Sequence, residues 1–122
     1  MRMSLPVLVL FLVTGCQELR LPLSMDFQSI ARGEAGLPNL YFYIIQFHNS
    51  KFQGDPFLRI LRTSIEQRLK PAPQQSEAAI ESWTVESTSH KLYRYSVLIS
   101  VTREARFETV LTYEVILVNE PI

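Results

Sequence analysis

The sequence predicts an α+β fold, a two-layer sandwich with one main helix packed on a mostly antiparallel sheet of about four strands. Three observations predict it. The C-terminal third holds two runs that alternate apolar and polar residues across a short polar turn, the pattern of a hairpin with one buried and one wet face. A proline-bounded segment over 55–71 carries an apolar residue at every fourth position. Short polar connectors separate the elements, so neighbours in sequence should pack as neighbours in space.

The chain has 122 residues, enough for one small domain, with 12 basic against 12 acidic side chains. That balance gives no electrostatic footprint for nucleic acid. Residues 1–15 read as a leader: Arg2 supplies a basic start, and Leu5 to Val13 is apolar apart from Pro6. The run is well short of the roughly 20 residues that span a hydrocarbon core, which suits a signal-peptide core. It closes on Val13-Thr14-Gly15-Cys16, which resembles the bacterial lipobox, in which the thiol receives a diacylglycerol and becomes the mature N-terminus. Cys16 is the chain's only cysteine, so intramolecular disulfides and Cys-based zinc sites are excluded. Gln17 follows it in place of the Asp that retains lipoproteins at an inner membrane, so the lipobox pattern favours an outer-membrane anchor on the periplasmic side. The alternatives are a conventional secretory signal cut near Ser24 and an unpaired thiol.

Residues 16–38 read as an irregular tether, punctuated by Leu21-Pro22-Leu23 and by Gly33, Gly36 and Pro38. An edge strand over Met25 to Ile30 is the competing reading. The α+β domain is then 39–122. "LYFYIIQFH" over 40–48 is nearly all aromatic or β-branched and predicts a central strand buried on both faces. "DPFLRILRTSIEQRLKP" over 55–71 predicts the main helix, with Asp55 as N-cap and Pro56 in the first turn. Its stripe is Phe57, Leu61, Ile65 and Leu69, and Pro71 stops it. A strand over 79–87 puts Trp83 and Val85 on one face and Ile80 on the other. After a polar turn at Thr88 to Lys91, Tyr93, Tyr95, Val97, Ile99 and Val101 share a face, with Leu98 an apolar exception on the opposite one. The last strand places Phe107, Leu111, Tyr113, Val115 and Leu117 on one side.

Little in the chain carries chemistry. His48 and His90 stand beside turns without ligand spacing, and the glycines are too scattered to cradle a phosphate. The reading is a non-enzyme with no catalytic residue, no metal and no cofactor. Cations are more suggestive. Lys91 and Arg94 enter the hairpin, and Arg103 and Arg106 sit at its far turn, a candidate site for an anionic headgroup. The competing reading is a solvated rim balanced by nearby glutamates.

The stretch "LPNLYFYIIQFHNSKFQGDPFLRILRTSIEQRL" and the later "YRYSVLISV" run resemble the LPS-assembly lipoprotein family, LptE. The likeness lies in Leu37-Pro38, in Phe47-His48-Asn49 ending a strand, and in a helix from Pro56 to Leu69. It implies a partner, an LptD-like outer-membrane β-barrel, and a role in lipopolysaccharide transport, with lipopolysaccharide itself a possible ligand. The family pattern adds a second helix after the last strand, whereas this sequence runs from strand to Val118-Asn119-Glu120-Pro121-Ile122. One sheet face is therefore expected to be under-covered and to need a partner. The alternative is a small ligand-binding or pilotin-type lipoprotein that shelters a lipid or peptide between helix and sheet.

Overall fold

The computed structural model describes residues 27–103 and 109–121. The leader, Cys16, Met25, Arg106 and Phe107 lie outside the described residues. The elements are helix α1 (Leu37–Lys51) and strands β1 (Phe57–Leu69), β2 (Glu77–Ser87), β3 (Leu92–Arg103) and β4 (Thr109–Asn119). The strands form one antiparallel meander in the order β1-β2-β3-β4, and α1 covers one face. The expected class, a helix on a four-stranded antiparallel sheet, is what the protein has.

Two elements are exchanged within that class. Residues 40–48 belong to the helix and not to a central strand. Leu37, Leu40, Tyr41, Ile44 and His48 are its buried residues, spaced three, one, three and four apart, which follows the 3.6-residue turn and not the two-residue pleat. Pro38 sits in the first turn, where its missing N–H costs nothing, and His48 and Lys51 end the helix at its negative pole. The aromatic and β-branched composition that suggested a strand is the bulk this helix needs to fill the sheet face. Tyr41 meets Trp83 edge-on at 6.1 Å, and Phe27 meets it from another side at 6.0 Å.

Residues 57–69 form the edge strand β1 and not the helix. Phe57, Leu61, Ile65 and Leu69 lie four apart, and a spacing of four satisfies two pleats as well as it satisfies one helical turn. Three register shifts against β2 break strict alternation, so that Ile60 and Thr63 are the residues turned fully inward. Asp55 caps no helix; its side chain serves the β2–β3 turn described below.

The remaining strands follow the expected alternation. Trp83, Val85, Tyr93, Tyr95, Val97, Ile99 and Val101 all face α1 in the core. Leu117 departs from it. The pairing slips by one residue between Ser96↔Leu117 and Val97↔Val115, so Leu117 turns to the face away from α1, and Val118 packs on the core instead.

The folded body also reaches further toward the N-terminus than residue 39. Phe27, Ile30, Ala31 and Leu37 are buried, and Phe27 bridges Thr63 in parallel. The Gln28 N–H donates to the Thr63 carbonyl at 3.2 Å, and Thr63 Oγ1 donates to the Gln28 carbonyl at 3.0 Å. These bonds cover part of the outer edge of β1. Its bulges and its charges at Arg59, Arg62, Glu66, Arg68 and Lys70 discourage further strand pairing.

Phe42 and Ile44 would share a face in a strand, but in α1 Ile44 is fully buried and Phe42 is 49% exposed. Ile44→Ala is expected to cost about 2–5 kcal/mol and Phe42→Ala to stay within about 0.5 kcal/mol, read from equilibrium urea unfolding. Equal costs would contradict the helix.

Candidate functional site: the sheet face opposite the helix

Directly opposed residues in an antiparallel sheet share a face, so the pairing register maps the side away from α1 row by row. One row runs Ser64, Ser82, Ser96, Leu117 across all four strands. The next toward one end runs Arg62, Thr84, Arg94, Asn119. Toward the other end come Ile80, Leu98 and Glu114, followed by Ala78, Ser100 and Thr112. The Ser100 and Thr112 hydroxyls bond to one another across β3 and β4. Short hydroxyl side chains thus floor the middle of the face, and Leu92, Leu98, Val110 and Leu117 stand around them. Among the described residues no element lies over this face, and Leu117 is 54% exposed there.

The expected cation cluster is not brought together. Lys91 is exposed in the β2–β3 turn and Arg94 is exposed on β3 next to it. Arg103 ends β3 nine residues later, about 30 Å along the strand. It is also engaged, donating to Glu34 at 2.6 Å and to Glu77 at 3.2 Å, bonds that raise its pKa above the ordinary arginine value. Arg106 and Cys16 lie outside the described residues. The fold instead places Arg94 with Arg62, one strand apart on either side of Thr84, at about 10 Å between backbones. Both line a cleft of about 130 Å³ with Thr84, Leu92, Tyr93, Asn119 and Glu120. Sequence reasoning counts Arg62, with Arg59 and Arg68, among the cations of a helix and so leaves it out of the Arg94 set; its parity with Ser64, read as a strand, was the available signal.

On the opposite, helix-covered side of the sheet, two buried polar groups hold the body together. His48 is fully buried. Its Nε2 lies 2.7 Å from the Asp55 carbonyl, which only accepts, so Nε2 carries the proton and Nδ1 accepts from the Tyr95 hydroxyl. The Asp55 carboxylate accepts from Ser87 Oγ and the Tyr93 hydroxyl, each at 2.7 Å, and from the Ser89 N–H at 3.2 Å. Histidine, aspartate and serine meet here, yet both ring nitrogens are engaged elsewhere and Ser87 donates to the carboxylate and not to the ring. The arrangement clamps the helix C-terminus to the β2–β3 turn. Desolvation pushes the Asp55 carboxyl upward, but the bonds from Ser87, Ser89 and Tyr93 outweigh it and hold the group well below the usual carboxylate range.

Glu81, on the helix side of β2, is also fully buried. It accepts from the Ile30 N–H at 2.6 Å and from Trp83 Nε1 at 3.0 Å, which ties the segment before α1 to the sheet. Here desolvation outweighs the bonds from Ile30, Ser29 and Trp83, and the carboxyl is raised.

The two carboxyls therefore link stability to pH with opposite signs. Asp55 is depressed, so its contribution is present above its unfolded value and fades in acid. Glu81 is raised, so its contribution is complete below its unfolded value and fades as pH rises through the folded one. In urea unfolding, the deficit of Asp55→Asn is expected to be larger at pH 7 than at pH 3. That of Glu81→Gln is expected to be larger at pH 3 than at pH 7. Parallel trends in the two variants would refute these assignments.

No family model, no curated protein and no solved structure matches this chain.

Proposed function

We propose that this protein is a lipid-anchored, non-catalytic assembly module of the bacterial outer membrane, tethered through Cys16, that docks its uncovered sheet face on a larger membrane partner. The observation that carries the proposal is the asymmetry of the sheet. One face is filled by α1 and the segment from Phe27; the other has no element over it among the described residues and exposes Leu92, Val110 and Leu117, while the serines and threonine between them are themselves shielded. Exposed apolar side chains on a sheet face with no cover of its own are suited to contact with a protein surface.

The lipobox-like Val13-Thr14-Gly15-Cys16 supports the location, and the likeness to the LPS-assembly lipoproteins supplies the class of partner, an LptD-like β-barrel in lipopolysaccharide insertion. The two elements on which that likeness was aligned, a strand over 40–48 and a helix from Pro56, have the reverse structure here. The proposal therefore rests on the leader and the open face. The alternative, a lipid or peptide held between helix and sheet, has less support, since Leu40, Ile44, Trp83, Val97 and Ile99 fill that interlayer with no exposed surface.

Detergent extraction followed by gel filtration tests the proposal. The wild-type chain is expected to elute with a large β-barrel, acylated at Cys16 by mass spectrometry. Leu98→Asp with Leu117→Asp is expected to release it, while Phe42→Asp on the outward side of α1 leaves the complex intact. Elution of the wild type as a lone small monomer would sink the reading.

A further inference from the structure

We infer that the Arg62–Thr84–Arg94–Asn119 row, on the open face of the sheet, is a binding site for a phosphate-bearing ligand. Arg62 and Arg94 stand on the same sheet face about 10 Å apart between backbones, a span two guanidinium forks can close on one phosphoryl group from opposite sides. Between them Thr84 presents a hydroxyl at the floor of the cleft, itself almost wholly shielded from solvent, and Asn119 adds an amide on the far side of Arg94.

The neighbouring charges leave this pair available. Glu86, one row away, is already bonded by Arg59 at 2.7 Å and by His90 at 2.8 Å, and those two bonds hold its carboxyl below the ordinary value. Asp55 is saturated by Ser87, Ser89 and Tyr93. Among the described residues neither Arg62 nor Arg94 has a carboxylate within ion-pair distance. Glu120 lies at the rim of the same cleft and offsets part of the positive potential.

Phosphate is favoured over a lone carboxylate by the two-sided placement of the forks, since a tetrahedral phosphoryl group offers oxygens to both arginines and to the Thr84 hydroxyl at once. Leu92, 42% exposed beside the cleft, gives the carbon part of such a ligand an apolar wall. The same chemistry is met by free phosphate and by a phospholipid headgroup, and the test separates them.

The full chain carrying Cys16→Ser, which removes any acyl attachment, is titrated in one arm with inorganic phosphate and in the other with phosphatidylcholine vesicles doped with phosphatidic acid. Backbone amide shifts report the first and co-sedimentation the second. Saturable shifts centred on Thr84, Arg94 and Asn119 are expected, weakened about tenfold or more in Arg62→Gln/Arg94→Gln and unchanged in Lys91→Gln. Binding to phosphate alone assigns the site to a free phosphate ligand, and to vesicles alone, lost in the same double variant, to a headgroup. Binding to neither, or binding that survives the double variant, overturns the inference. The phosphate arm is read on the isolated chain, so loss of phosphate binding there is distinguishable from failure of the wild-type chain to elute with a large partner, which is the failure of the docking reading.

Discussion

A single helix of fifteen residues, about 22 Å long, has to serve a sheet whose strands run to about 36 Å or more, and it can lie on only one side. The rest of the structure is arranged around that limit. On the covered side the bulky residues concentrate: Trp83, Tyr95, Leu40, Ile44 and Ile99 leave almost no surface to solvent, and burying each such side chain contributes about 1.5–3 kcal/mol. The segment from Phe27 to Leu37 supplements the helix, extending the cover over β1. On the other side the middle of the sheet carries Ser82, Thr84, Ser96 and Ser100, short side chains each less than a tenth exposed although no element of the described residues lies over them. The two faces thus differ in composition because they differ in what lies over them.

The polar groups inside the covered layer hold that layer in register with the strands. His48 has its donor and acceptor positions matched by the Asp55 carbonyl and the Tyr95 hydroxyl, and so fixes the end of α1 over β3. Glu81 collects N–H donors from Ile30 and Trp83 and fixes the segment ahead of α1 over β2. Buried polar groups left unpaired would be costly, and here each has at least one partner from outside its own element. At the outer edge of the helix, the Tyr43 hydroxyl accepts from the Val115 N–H at 2.9 Å, adding β4 to the same frame. Helix, sheet and N-terminal segment are therefore joined by directional bonds as well as by apolar contact.

The fold class was legible in the sequence because Tyr93, Tyr95, Val97, Ile99 and Val101 in β3 and Leu111, Tyr113 and Val115 in β4 alternate with polar residues across a short turn. The identity of the first two elements was not. The stripe Phe57, Leu61, Ile65, Leu69 has a period common to strand and helix, and the bulges of β1 removed the alternation that would have decided it. In α1 the informative spacing, 37, 40, 41, 44 and 48, was overlain by the aromatic and β-branched residues between, such as Phe42 and Ile45. The bulge that turns Leu117 outward leaves no sequence signal, since it is a property of pairing. The candidate cation site suffered from the same exchange. Arg94 was identified, but Arg62 joins it only once β1 is a strand, and Arg103 leaves the set because Glu34 and Glu77 occupy it.

The proposed function stands on the face opposite α1 being a surface of contact. A photo-reactive amino acid placed at Leu98, in the middle of that face, and separately at Phe42, on the outward side of the helix, tests it most directly in living cells. A cross-link is expected from position 98 to one large outer-membrane β-barrel and none from position 42. A cross-link from the helix side alone, or none from position 98 in cells that hold the protein at normal levels, would contradict it.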